Sequence, residues 1–97
     1  MNEEKKFQEL AQKWRAETSH LSRISHISMN QYYQNIIGMG PAAIPLILKD
    51  LKENGPDHWF WALTAITCEN PLTEDIAGNM KAMTEAWIQW GIKKGFI

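Results

Sequence analysis

Trp59 and Trp61, two residues apart in the most apolar and aromatic run of the chain, set the first constraint on how it can fold. The run is Asp57-His58-Trp59-Phe60-Trp61-Ala62-Leu63-Thr64-Ala65-Ile66-Thr67. Read as a helix, it places Trp59, Ala62, Leu63 and Ile66 on one face. Trp61 falls about 160° from Trp59 on the same wheel. One flat contact cannot bury both rings, so either this helix is central to the fold or Trp61 faces a partner. Asp57 stands where an N-cap for the helix is expected.

The remaining chain reads as further helices. Phe7, Leu10, Ala11 and Trp14 recur at i, i+3, i+4 and i+7 between Glu3 and Thr18, which is the spacing of an amphipathic helix. Asn30 is a candidate N-cap for a short helix carrying Tyr32, Tyr33, Ile36 and Ile37, with Gly38 as its stop. Gly38-Met39-Gly40-Pro41 is a turn signal, and Pro41 suits the first position of the next helix. That helix has Ile44, Ile47, Leu48 and Leu51 as its stripe, with Lys49, Asp50, Lys52 and Glu53 expected to face outward. Gly55-Pro56 ends it. After the aromatic helix, Cys68-Glu69-Asn70-Pro71 is a break and Leu72 to Gly78 a loop. Asn79 then caps a last helix, whose stripe is Met80, Met83, Trp87, Trp90 and Gly91. Lys93 and Lys94 fall at its C-terminal end, where cations suit the helix dipole, and Gly95 is expected to turn Phe96 and Ile97 back onto the core.

Ser19 to Ser28 repeats apolar residues every third position among four serines, and fits a 3₁₀-like connector as well as a helix. No alternating strand pattern occurs. The expectation is a single all-α domain over residues 1–97, a compact bundle of about five helices.

Ile36-Ile37-Gly38-Met39-Gly40-Pro41-Ala42-Ala43-Ile44-Pro45-Leu46-Ile47-Leu48 resembles the turn and second-helix start of a HEAT-type helical repeat. Ala62-Leu63-Thr64-Ala65-Ile66-Thr67, followed by Glu85-Ala86-Trp87-Ile88-Gln89-Trp90, resembles a terminal pattern of some bacterial HEAT-like domains. In that pattern an Ala-Leu…Ile-Thr-Gly segment precedes a helix with Trp-x-x-Trp. Cys68 stands here where the pattern has glycine. About one and a half hairpins are present, fewer than a solenoid needs. The resemblance implies HEAT-like hairpin packing and, by analogy alone, binding to protein instead of catalysis. The chain also resembles small uncharacterised bacterial proteins of similar length.

Charge and chemistry narrow the function classes. Ten Lys plus Arg against eleven Asp plus Glu leave a net charge of −1, without the concentrated basic surface that bulk nucleic-acid binding needs. No apolar stretch approaches the length of a membrane span, the N-terminal residues lack the apolar run of a signal peptide, and one cysteine allows no internal disulfide. A soluble cytoplasmic protein is expected. Cys68 follows a helix C-terminus, the wrong end of the dipole for an activated nucleophile, and His20, His26 and His58 have no paired ligand spacing. The reading is therefore non-enzymatic, with no cofactor and no metal.

Five tryptophans in 97 residues is the anomaly. Trp14, Trp59 and Trp87 are expected in the core. Trp61, Tyr32, Tyr33 and Trp90 form the candidate patch for a protein partner or a second copy of the chain, because such residues dominate interface hot spots. Met29, Met39, Met80 and Met83 are expected in the core, or as adaptable surface if exposed. The alternative of a nucleic-acid-associated regulator, such as an antitoxin, rests on Arg23, Lys93 and Lys94. A small-ligand binder would use an aromatic pocket of Phe60, Trp87 and Trp90.

Overall fold

Helical periodicity becomes five α-helices with described bounds in the computed structural model, which describes residues 3–18, 27 and 29–97. They are α1 Glu3–Thr18, α2 Gln31–Gly38, α3 Ala43–Asn54, α4 Phe60–Thr67 and α5 Met80–Lys94, with 3₁₀ turns at Gly40–Ala42 and Glu74–Ile76. The described residues contain no strand. Arg23 and most of the Ser19–Ser28 connector lie outside the described residues.

Asparagine side chains cap two of the helix starts. Asn30 Oδ1 accepts the Tyr32 and Tyr33 N–H groups and caps α2, while Asn79 Oδ1 accepts the Ala82 N–H at 3.0 Å and caps α5. At the other end of α5, Gly95 is left-handed and the Phe96 N–H returns to the Gly91 carbonyl at 2.8 Å. Phe96 then stacks on Trp90, with ring centroids 5.4 Å apart. Two expected starts differ. Pro41 lies in the 3₁₀ turn, and the α-helix proper begins two residues later at Ala43. The aromatic helix begins at Phe60, not beside Asp57, whose carboxylate is drawn to Arg15 instead.

α1 lies against α2, α2 against α4, and α3 against α5. The core is centred on Trp59, which is fully buried. Its ring lies 4.5 Å from Trp14, 5.4 Å from Phe7 and 5.7 Å from Tyr33, the last in a stacked arrangement. Each such aromatic pair contributes about 0.5–1.5 kcal/mol beyond area burial, so this hub ties α1 and α2 to the start of α4. Between α3 and α5 the Leu48 side chain packs directly onto Gly91, where an added Cβ would overlap Leu48 Cδ1.

Trp14, Trp59 and Trp87 are all buried, as their stripe positions require. Four of the five methionines lie in the described residues and behave differently: Met29 is 70% exposed and Met39, Met80 and Met83 are half-buried, so none of the four joins the fully buried core. Among the described residues no helix is long and apolar enough to cross a membrane.

Candidate functional site

The direction in which Trp61 points is fixed by polar groups behind it. Asp50 is only 5% exposed, a correction to its expected outward position on α3. Its Oδ2 accepts the Trp59 indole N–H at 2.8 Å and the Arg15 guanidinium at 2.5 Å, and its Oδ1 accepts the Asn54 amide at 2.8 Å. Arg15 also donates to Asp57 Oδ2 at 3.0 Å. One guanidinium from α1 therefore joins the end of α3 to the approach of α4. Burial by itself would lower the Arg15 pKa, but the hydrogen bonds and negative charge of Asp50 and Asp57 outweigh it and raise the pKa above the ordinary value. The group stays cationic throughout.

α4 has no side-chain cap of its own. Tyr33 supplies one from α2: its hydroxyl accepts the Ala62 N–H at 2.8 Å and donates to the His58 carbonyl at 2.9 Å. The phenol pKa is raised well above the usual tyrosine value. Burial is the main cause; the nearby Asp57 charge acts in the same direction, and the Ala62 hydrogen bond opposes both. With residues 58–62 held from below in this way, Trp59 enters the core and Trp61 leaves it.

Trp61 is 56% exposed. The Trp14 ring packs instead on Trp59 and Tyr33, and its indole N–H donates to the Ile27 carbonyl at 2.9 Å. Beside Trp61 lies a cleft of about 570 Å³ between α4, the loop after it and the first turn of α5. Phe60, Trp61, Ala65, Leu72, Met80 and Met83 make its apolar wall, and His58, Thr64 and Asn70 give it a few polar points. Ligand sites have this constitution and a volume of roughly 300–1,000 Å³. The cleft is built by chain direction. α4 ends at Cys68 in a left-handed conformation, φ 57°, with its N–H on the Thr64 carbonyl, and the chain runs back past Leu72 to Gly78 before α5 begins.

The other expected site residues are elsewhere. Tyr33 is fully buried and Trp90 is 8% exposed, packed edge-on to Trp87 and stacked on Phe96, so both belong to the core and not to a surface patch. Tyr32 is half-buried under the Lys13 ammonium, which lies 5.6 Å from its ring centroid, and it does not line the Trp61 cleft. Of the pocket expected from Phe60, Trp87 and Trp90, Phe60 alone lines the cleft. Lys93 is exposed, and Lys94 pairs with Glu69 at 3.4 Å. No group of three or more His, Cys, Asp or Glu able to hold a metal occurs among the described residues.

Sequence reasoning missed the Arg15–Asp50–Asp57 junction and the contribution of Leu72, Met80 and Met83 to the cleft. The first had a signal in the polar side of α1, where Arg15 directly follows Trp14. The second had none in periodicity, because Leu72 lies in a loop. Compared with family models, curated proteins and solved structures, the chain matches none.

Proposed function

We propose that the protein is a non-catalytic interaction module that binds a protein partner, with Trp61 and the apolar cleft beside it as the contact. The observation that carries this reading is the exposure of a large aromatic ring on the rim of an apolar cleft, above a base held rigid by Tyr33 and Asp50. Tryptophan is enriched among the few residues that dominate binding energy, and half-buried methionines such as Met80 and Met83 provide a surface that can adapt to a partner. The HEAT-like sequence resemblance agrees by analogy with a binding role, as a regulator or inhibitor of a larger protein. A second copy of the chain is a special case of the same reading.

The cleft volume favours one further reading, an apolar small molecule held against Phe60 and Leu72. The two separate experimentally. Affinity capture from the source cells with immobilised wild type and Trp61→Ala should recover a protein with the first and not the second. Recovery of the same proteins by both would refute a Trp61-centred protein contact, and an organic molecule co-purifying with wild type alone would favour the small ligand.

A further inference from the structure

We propose that the cleft between α3 and α5 binds a small organic anion with an aliphatic tail, of the class of medium-chain carboxylates, with Lys52 and Lys81 meeting the charge and Ile88 and Ile92 the tail. This cleft, of about 390 Å³, shares no lining residue with the one beside Trp61 and does not depend on it. Its size falls within the roughly 300–1,000 Å³ of small-molecule sites. Lys52 lines it from α3 and Lys81 from α5; both are exposed, and neither has an ion pair or hydrogen bond among the described residues. The carboxylate on the lining, Glu85, accepts the Gln89 amide at 3.0 Å and pairs with neither lysine. A bound anion therefore gains two charge-assisted contacts, while an ammonium group is opposed by both lysines. Thr84, on the same lining, is 6% exposed, and its hydroxyl has no hydrogen-bond partner among the described residues. Thr18 and Thr67 return their hydroxyls to the carbonyls four residues back, those of Trp14 and Leu63, whereas Thr84 does not do so with Met80. The indole N–H groups of Trp87 and Trp90 are also unpartnered, but only Thr84 of the three lines this cleft. A buried hydroxyl without a partner is unfavourable, and an anionic oxygen supplies the acceptor it lacks. The order along α5 gives the ligand its shape. Lys81, Thr84, Ile88 and Ile92 stand at i, i+3, i+7 and i+11 on one helix face, so the polar groups occupy one end of a row and aliphatic surface the other. From Thr84 to Ile92 the row runs about 12 Å, the reach of a medium-length chain. Ile92 is 49% exposed and is covered by such a tail.

The test is a nitrogen-15 NMR titration of the intact chain with octanoate, compared with octylamine and inorganic phosphate. Octanoate should give saturable shifts centred on Lys81, Thr84 and Ile88, octylamine none there, and phosphate weaker binding for want of a tail. Both lysines are exposed, so Lys52→Gln/Lys81→Gln keeps the fold, and it should weaken octanoate by about 3- to 10-fold. Lys93→Gln, an exposed lysine off the cleft, should bind as wild type does. Thr84→Val keeps the shape and removes the unpaired hydroxyl, so it should raise the denaturation midpoint while weakening octanoate, a loss that a threonine with a purely structural role would not produce. Octanoate shifts centred on the Trp61 cleft, octylamine or phosphate binding as tightly as octanoate, undiminished affinity in the lysine or threonine variants, or no saturable shift would each overturn the proposal and leave docking at Trp61 untouched.

Discussion

The Tyr33 hydroxyl accepts the Ala62 N–H at 2.8 Å and so caps α4 from a neighbouring helix. The cap and the stacking of Tyr33 on Trp59 come from one side chain, which couples core packing to the orientation of the exposed Trp61. Tyr33→Phe keeps the ring and removes the oxygen, leaving the Ala62 N–H and the His58 carbonyl without this partner. A loss of about 1–3 kcal/mol in urea denaturation is expected.

The same hydroxyl makes stability depend on alkaline pH. Its pKa is raised on folding, so the neutral phenol is favoured in the native state, and the resulting stability is full below the unfolded value of about 10 and is lost as pH rises beyond it. Wild type should lose more stability than Tyr33→Phe between about pH 9 and 11, the unfolded tyrosine range. Equal slopes for the two proteins would remove Tyr33 from the account.

Asp50 serves three donors at once: the Trp59 indole, the Arg15 guanidinium and the Asn54 amide. Asp50→Ala strands a buried indole N–H and deprives Arg15 of its closest anion, and a destabilisation of about 3 kcal/mol is expected. Much of Arg15 faces solvent, so Arg15→Met should cost less than Asp50→Ala. The reverse ranking in chemical denaturation would contradict this assignment.

Cys68 holds a left-handed conformation that glycine adopts without a Cβ penalty. Cys68→Gly should therefore stabilise the protein, by roughly 0.5–1 kcal/mol after the entropy of the unfolded chain is counted. A lower thermal midpoint than wild type would show that the exposed thiol makes a contact worth more than the backbone strain.

At Gly91 the opposite holds, because the space is already filled by Leu48 and Ile97. Gly91→Val should destabilise by about 1–3 kcal/mol through overpacking between α3 and α5, measurable as a lower denaturation midpoint.

The helices were legible because 3.6-residue periodicity and capping chemistry are local. Asn30, Asn79 and Gly95 announce their helix ends, and Phe7, Ala11 and Trp14 announce a buried face. What was not legible depends on partners distant in sequence. Asp50 reads as a surface carboxylate until Arg15 and Trp59, 35 residues before and nine after, converge on it. Tyr33 and Trp90 read as candidate interface residues because aromatic side chains serve cores and contacts equally, and only packing against Trp59 or Phe96 decides between them. For Trp61 the wheel leaves two outcomes, a central helix or an outward ring, and only its 56% exposure in the folded chain decides between them.

The central claim is that Trp61 serves binding and not folding. Its most direct test is calorimetric titration of wild type and Trp61→Ala with the partner captured by wild type. The account predicts an affinity loss of at least about 2 kcal/mol, some 30-fold, as for a hot-spot residue. Equal affinity of the two proteins for that partner would contradict it.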